Sequence, residues 1–277
     1  MSRSQSDVWM GLSASAMARL TTDPHGQAHL HTQSWDGSAD TLRSALGVEL
    51  NSSKLSLLLG PSVARHWLQA PVTGISSLRE LHSVVCVRAW QLFGDNGTAS
   101  EQSDGGWHVS GDWQAACHFI CTAWVASLSA LGIPLHTPFS LALTHYRRVL
   151  PQNGWLAVTV AGELHTLQIR RGHVCSLRST LLPLAMSATE MQDRALQEWQ
   201  RARLCTTFSD AQDVSRLHWL NLMPIPIEVI DNTPIVPVTL SRKPLLITTE
   251  TEHQLTMQEH EAYTTACAGP YLMGVIA

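Results

Sequence analysis

The sequence predicts an α/β protein of two lobes, each with a mixed sheet flanked by helices. Three observations lead to this prediction. Short strands joined by tight turns open the chain and reappear from Trp155 to Ser179, and each set is followed by an amphipathic helix and a further strand. Apolar residues make up 44% of the chain, enough to give each lobe a core. The repeated order places one lobe at residues 1–150 and the other, with an irregular C-terminal extension, at residues 151–277.

The first lobe opens with a strand, a tight turn of small residues and a return strand between Val8 and Thr21. The segment "QAHLHTQSW" alternates with period two and predicts a third strand. A helix then begins after Ser38, which is a good N-cap residue. The segments "KLSLLLG" and "ARHWLQAP" are interpreted as a hairpin about Gly60-Pro61.

The segment "SSLRELHSVVCVRAWQLFG" gives the clearest helical pattern of the chain. Apolar residues follow one another at spacings of three and four, and Gly94 lies where a C-terminal cap belongs. The predicted apolar face consists of Leu78, Leu81, Val85, Ala89 and Leu92. Two strands, "WHVSGDW" and "HFICTAWV", a short helix ending at Gly132 and a helix beginning at Thr137-Pro138 complete the lobe.

The second half begins with three strands joined by tight turns, which predicts an antiparallel meander from Trp155 to Ser179. A helix follows, because Ser187 and Glu190 match a capping box. Its predicted buried face is Met191, Ala195, Trp199 and Ala202. The segment "RLHWLNL" predicts one more strand, and the last thirty or so residues show no clear pattern.

Composition excludes several classes of protein. Charged residues are 14% of the chain, against about 25% in soluble domains, which indicates surfaces covered by partners. The net charge of −4 argues against nucleic acid as a partner. We find neither a signal peptide nor an apolar run of 18 residues, so we expect no membrane span. Six scattered cysteines indicate free thiols in a cytoplasmic protein.

The two strand–turn–strand segments carry a family resemblance. "VWMGLSASAMARL" and "WLAVTVAGELHTLQIRRG" resemble the opening segments of the two lobes of actin-like proteins. The chain, over roughly residues 7 to 222, resembles the actin-like cytoplasmic proteins of type IV pilus and type II secretion platforms, the PilM family and the cytoplasmic part of the GspL family. The resemblance implies two ribonuclease-H-like lobes and a scaffold beneath the bacterial inner membrane. Its implied partners are the cytoplasmic tail of a membrane protein and an assembly ATPase, and a homodimer stays open.

The sequence departs from active members of the actin-like class at both turns. Active ATPases have Asp–apolar–Gly at each turn, where the acid positions Mg²⁺ or water and backbone amides hold phosphate. The closest register puts Gly11-Leu12-Ser13 and Val160-Ala161-Gly162 there, so Gly11, Ser13, Val160 and Gly162 mark degenerate phosphate turns. Glu163 is expected on the other side of its strand. We therefore expect a scaffold without catalytic residues or cofactor.

Two enzymatic alternatives stay open. The first is a divergent actin-like ATPase or kinase, which binding of Mg-ATP would support. The second is a metal-dependent hydrolase that uses His25, His29 and His31, because imidazoles two residues apart on a strand can share a zinc ion. The simpler interpretation is that these histidines lie on a hydrated strand face. The chain has fourteen histidines, so a few of them can lie close together by chance.

Other candidate sites have simple structural interpretations. Cys117, His118 and Cys121 have zinc-like spacing, but no second cysteine pair follows, so we expect thiols packed in the core. Ser62 and His66 lie near each other in sequence without a nucleophile elbow. The ten tryptophans are expected in the core or at interfaces, and the chain has no Walker-type loop.

Overall fold

The computed structural model of the chain describes residues 8–22, 28–36, 38–47, 55–94, 107–111, 118–146, 151–183, 186–205, 216–223, 234–238, 259, 261–266 and 268. The strands are, in chain order, β1 (Val8–Leu12), β2 (Ala16–Thr22), β3 (Ala28–Ser34), β4 (Leu55–Leu59), β5 (Ala64–Gln69), β6 (Trp107–Gly111), β7 (Phe119–Val125), β8 (Leu135–His136), β9 (Gly154–Val160), β10 (Glu163–Arg170), β11 (His173–Leu181), β12 (Leu217–Asn221) and β13 (Ile235–Pro237). The helices are α1 (Ala39–Leu46), α2 (Leu78–Phe93), a 3₁₀ helix (Ala126–Leu131), α3 (Pro138–Tyr146) and α4 (Ala188–Leu204). Residues 259, 261–266 and 268 are also helical, and we call them the C-terminal helical segment.

The two large sheets have the same strand order. The lobe 1 sheet runs β3-β2-β1-β4-β8, and the lobe 2 sheet runs β11-β10-β9-β12-β13. In each sheet the first three strands along the chain are antiparallel neighbours, and the two later strands run parallel to the first. This is the arrangement of ribonuclease-H-like lobes, and its repetition confirms the predicted two-lobed actin-like architecture.

Helices form layers outside and between the two sheets. Apolar residues of α1 pack on the outer face of the lobe 1 sheet, and those of α4 pack on the outer face of the lobe 2 sheet. The inner layer is exchanged between the lobes. The C-terminal helical segment packs on the lobe 1 sheet, and α3 packs on the lobe 2 sheet. Because each half of the chain covers the other half's sheet, the division at 1–150 and 151–277 stays a proposal.

A small antiparallel sheet, β5-β7-β6, is inserted in lobe 1 and carries α2 on one face. The predicted hairpin about Gly60-Pro61 is therefore wrong. β4 lies between β1 and β8 in the lobe 1 sheet, whereas β5 pairs with β7 of the inserted sheet. The leucine-rich β4 is buried on both faces, as parallel central strands are, so no edge is left for a hairpin partner.

Most local signals in the sequence produce the predicted elements. Ser38, Ser77 and Ser187 cap α1, α2 and α4, and the Ser187–Glu190 capping box has both of its hydrogen bonds. The antiparallel meander β9-β10-β11 is confirmed, with α4 packed on it. Thr137 accepts the Ser140 backbone N–H at the start of α3.

The predicted apolar face of α2 is correct only in its middle. Leu81, Val85 and Ala89 are fully buried, but Leu78 is 66% exposed and Leu92 is 42% exposed. With 16 residues α2 is about 24 Å long, and the short strands beneath it cover only its central turns. The two ends of the helix therefore present apolar side chains to solvent.

Candidate functional site

Ligands of open α/β sheets bind beyond the carboxyl ends of the parallel strands. In lobe 1 the carboxyl ends of β1 and β4 lie beside the β1–β2 turn, and in lobe 2 the ends of β9 and β12 lie beside the β9–β10 turn. The lobe 1 position faces the C-terminal helical segment. We call it the interlobe site and define it by Gly11, Ala14, Gly60, Ser62 and Glu261.

Hydrogen bonds between parallel strands align the two lobes residue by residue. The N–H of Gly60, directly after β4, donates to the carbonyl oxygen of Leu12 at 2.8 Å. The N–H of Leu222, directly after β12, donates to the carbonyl oxygen of Thr159 at the same distance. Leu12 and Thr159 therefore occupy the same place in the two sheets.

This alignment makes Val158 the counterpart of Gly11. The alignment of the two turns inferred from sequence, which matched Val160 to Gly11, is therefore wrong by two residues. Small turn residues set that alignment, and they do not reveal how the strand behind them pairs. Neither aligned position carries a carboxylate, so the absence of an acid holds in the corrected alignment.

Backbone fills the space beside Gly11. A Cβ atom added to Gly11 would lie 2.1 Å from the carbonyl oxygen of Ala262 and 2.5 Å from the backbone nitrogen of Ala266. Both atoms belong to the C-terminal helical segment. An aspartate at this position is incompatible with the packed segment, so the acid is replaced by a helix.

Ser62 connects the β1–β2 turn to Glu261. Its hydroxyl oxygen accepts the N–H of Ala14 at 2.7 Å. Its own N–H and O–H both donate to Oε1 of Glu261, at 2.8 and 2.6 Å. A Cβ on Gly60 would lie 2.5 Å from the same carboxylate oxygen. The Ala14 amide of the β1–β2 turn is thus satisfied inside the chain.

The carboxylate of Glu261 is largely removed from water. Burial raises the pKa of Glu261 above its ordinary value, and the nearby charge of Glu163 acts in the same direction. The hydrogen bonds from Ser62 and the charge of Arg65 oppose this rise in pKa. The ionised form of Glu261 is therefore stabilised by the two Ser62 donors and, to a smaller extent, by Arg65.

The β9–β10 turn is closed in a different way. Ala161 and Gly162 have φ values of 50° and 78°, which is the conformation of a two-residue type I′ hairpin turn. The N–H of Gly162 points at the sulfur of buried Met223, 3.4 Å away. The Gly162 amide is thus covered by an apolar side chain.

Glu163 lies on the interlobe face of its strand, which corrects the expectation that it points away. It pairs directly with Val160, and cross-strand partners project on the same face. Its carboxylate oxygen Oε2 is 3.2 Å from Nε2 of the fully buried His165, but the two atoms do not form a hydrogen bond. The charge of Glu163 also reaches Glu261.

An aromatic stack joins the inserted sheet to lobe 2. The rings of Phe139 and His165 are stacked with centroids 3.9 Å apart, and His66 meets Phe139 edge-on at 4.8 Å. Burial, with His165 and Arg65 nearby, holds the pKa of His66 well below its ordinary value. His66 is therefore neutral and serves packing.

The Ser62–His66 pair does not form a nucleophile and base. Ser62 donates its hydroxyl to Glu261, whereas Nδ1 of His66 lies 3.0 Å from the hydroxyl of Thr122. The two side chains thus belong to separate polar clusters, one at the interlobe site and one on the inserted sheet.

The histidine and cysteine candidates are only partly described. His29 and His31 are exposed on β3, and His25 lies outside the described residues, as does Cys117. Within the described ranges no three His, Cys, Asp or Glu residues are placed to share a metal ion. The metal hypothesis stays a prediction that metal analysis of the purified protein tests. Cys121 is fully buried, and burial raises the pKa of its thiol to about 12, so it is an inert core thiol.

The interlobe residues were missed from sequence because they meet across long distances. Ser62 and Glu261 are 199 residues apart. One signal was available: Ala262 and Ala266 are four residues apart, which gives a helix a small-residue face that can approach a sheet closely. The sequence does not say which sheet that face meets.

No family model and no curated protein matches the chain. Solved structures match at low identity. One is a Bacteroides thetaiotaomicron protein with an actin-like ATPase fold and unknown function: 13% identity, 78% of this chain and 81% of that chain covered, TM-score 0.42.

Two further similar structures come from envelope machinery. One is the cytoplasmic domain of EpsL, an inner membrane component of the type II secretion system of Vibrio cholerae: 12% identity, 85% of this chain and 90% of that chain covered, TM-score 0.40. The other is a PilM–PilN type IV pilus biogenesis complex: 11% identity, 98% of each chain covered, TM-score 0.47. Both kinds of protein are those that the sequence resembles. The fold assignment itself rests on the strand order and directions of the two sheets.

The part of the chain that the structure describes contains no helix with the length and apolar character needed to cross a membrane.

Proposed function

We propose that this chain is a non-enzymatic scaffold of a bacterial pilus or secretion platform at the inner membrane. In this role it docks a short cytoplasmic peptide of a membrane partner and stays at the membrane through that partner. The resemblance of both hairpins to PilM-like and GspL-like proteins implies the machine. The contacts of the interlobe site support the absence of catalysis, and the outward face of α2 supports the docking of a peptide.

The filled interlobe site is the observation that carries the non-enzymatic part. The Ala14 amide is bound by Ser62, the Gly162 amide faces Met223, and helix backbone occupies the space beside Gly11. Phosphoryl transfer needs amides, cations and an acid that are free to hold phosphate and Mg²⁺. These three positions, where the resemblance to active actin-like proteins implies contacts with phosphate or Mg²⁺, are occupied by the chain itself.

The outward face of α2 supports the docking part. Three apolar side chains on this face are 40% to 55% accessible; they are Val84, Val87 and Trp90. Val84 and Val87 line a groove of about 350 Å³ beside the end of β5, at the lower end of the roughly 300–1,000 Å³ of ligand pockets. Exposed apolar clusters of this kind mark interaction sites.

The groove also fits the kind of partner we propose. Its lining is completed by Gln69, Ser83, Arg88 and Gln91, so Arg88 is the single charged residue among the six that line it. A peptide that inserts apolar side chains there gains mainly from buried area. Its affinity should therefore change little with salt, since screening weakens charge pairs between exposed groups.

The test is a calorimetric titration of the full chain with cytoplasmic segments of inner-membrane proteins encoded beside its gene. We expect one segment to bind, with nearly equal Kd at low and high salt. Val87→Glu should weaken its binding at least tenfold, which corresponds to about 1.4 kcal/mol, because a charge replaces the apolar lining of the groove.

Leu204→Glu is the matched control, since Leu204 is an exposed leucine on a different helix, 89% accessible. This variant should bind as the unchanged protein does. Equal loss in both variants, binding abolished by moderate salt, or no binding to any neighbouring segment would contradict the docking role.

A further inference from the structure

The Ser62–Glu261 contact has the same two serine-to-glutamate hydrogen bonds as the capping box of α4, but its two residues come from distant segments of the chain. At the start of α4 the N–H and O–H of Ser187 both donate to Oε2 of Glu190, each at 2.8 Å. Ser62 makes the same two bonds to one oxygen of Glu261. The Ser187 pair is exposed and local, whereas the Ser62 pair is partly buried and joins distant segments.

Contacts other than those with Glu261 help to position Ser62. Ser62 lies in the turn between β4 and β5, where the N–H groups of Val63 and Ala64 donate to Gly60. Its hydroxyl oxygen accepts the Ala14 N–H, so the hydroxyl proton is directed away from Ala14. These contacts hold the backbone and the hydroxyl oxygen of Ser62, whose N–H and O–H converge on Oε1 of Glu261.

We propose that Ser62, held by the Ala14 amide, is an oxyanion site for a carboxylate, and that the chain fills this site with its own Glu261. The inference deepens the proposed function and rests on it, because it explains how a phosphate position of the fold is occupied without nucleotide. Glu261 acts as a ligand in cis that holds the C-terminal helical segment on the lobe 1 sheet.

The surroundings favour a monoanionic carboxylate over phosphate. Two donors converge on a single oxygen, and Glu163 adds a second negative charge that faces the site from β10. Arg65 of β5 is the cation whose charge reaches the site. A phosphate dianion would meet the repulsion of Glu163 with the same few donors.

The test is rescue of Glu261→Ala by acetate, followed by thermal unfolding. Acetate at about 0.1 M should raise the Tm of this variant by about 3 °C above the value in equal chloride, if its Kd is about 10 mM. It should leave the unchanged protein and the double variant Glu261→Ala/Ser62→Ala unshifted. Glu190→Ala is the matched control, because it removes the same kind of carboxylate from an exposed serine and should show no acetate effect.

Inorganic phosphate is the second arm of the same experiment. It should shift the Tm of Glu261→Ala no more than chloride does. A phosphate shift larger than that of acetate, or no acetate shift at all, would overturn the carboxylate site. Neither result bears on the docking role, which fails only if the peptide titration fails. Mg-ATP turnover by the unchanged protein would instead overturn the non-enzymatic part.

Glu261→Gln tests the site without creating a cavity. The pKa of Glu261 is raised above its ordinary value of 4.5, so its contribution to stability is complete below pH 4.5 and falls as pH rises through the folded-state pKa. The Tm of the unchanged protein minus that of Glu261→Gln should therefore decrease as pH rises from 4.5. A difference that does not vary with pH would mean that Glu261 is not buried as described, whereas the acetate experiment tests its bonds from Ser62.

Discussion

Two glycines of the lobe 1 sheet show how single residues make room for a distant segment. Gly11 is in contact with helix backbone, and Gly60 is in contact with a carboxylate oxygen. Neither has a positive φ, so the requirement is for space and not for an unusual backbone conformation. At both positions glycine lets the C-terminal helical segment lie directly on the strands.

Gly11→Ala should destabilise the protein strongly. Its Cβ would overlap backbone atoms, which cannot rotate away, so the helical segment must shift. We expect the free energy of unfolding to fall by about 3 kcal/mol, the upper end of typical overpacking costs, measured by urea denaturation.

Gly111→Ala is the control for this change. Gly111 is also a strand glycine, but an added Cβ would be 3.3 Å from its nearest atom and needs only a small adjustment. It should cost less than about 1 kcal/mol. If the two alanine variants were equally stable, the helical segment would not be packed on β1 as described.

At the scale of elements, α4 shows how a helix is fixed to a sheet by one buried charge. Glu198 is 2% exposed, and its carboxylate lies 2.7 to 3.9 Å from the guanidinium nitrogens of three arginines. Arg194 and Arg201 come from α4 itself, and Arg178 comes from β11. The buried carboxylate therefore ties the helix to the outer strand of the lobe 2 sheet.

Glu198→Gln should remove this tie while keeping the volume of the side chain. The arginines are between a third and just over a half exposed, so water screens much of each pairing. We expect a loss of about 1–2 kcal/mol in the free energy of unfolding, because three cations lose their shared partner.

Asp193→Asn on the same helix removes an exposed charge and should change stability by less than about 0.5 kcal/mol. An equal effect of the two substitutions would mean that Glu198 does not anchor α4.

Elements with strong local signals were the ones that the sequence predicted correctly. The capping box of α4, the alternation of β9 to β11 and the cap of α3 depend on neighbours a few residues apart. The pairing of β4, the two-residue β8 and the C-terminal helical segment depend on partners far along the chain. The order of strands and helices in each lobe could be predicted from these local signals. Periodicity contains no information about distant partners, so the filled interlobe site could not be predicted.

At the scale of the whole molecule, the two lobes are joined through their exchanged inner layer. Catalytic actin-like proteins need a cleft that admits nucleotide between the lobes. Here α3, the C-terminal helical segment and the His66–Phe139–His165 stack lie between them. The purified protein should therefore show no Mg-dependent ATP turnover above a buffer control, and Mg-ATP should not raise its Tm.

Turnover that disappears on substitution near Gly11 or Gly162 would overturn this expectation and restore the ATPase alternative. Turnover that is unchanged by those substitutions would indicate a contaminating enzyme, and further purification should then remove it.

The exchanged inner layer also sets the order in which the molecule can be completed during synthesis. The inner face of the lobe 1 sheet is formed by residues made early, yet its cover, residues 261–266, leaves the ribosome some two hundred residues later. Contacts this distant in sequence close slowly, because the chain must first give up the entropy of a long loop. Until then the apolar inner face of the lobe 1 sheet is uncovered, so we expect the growing chain to be prone to aggregation and to bind a holding chaperone.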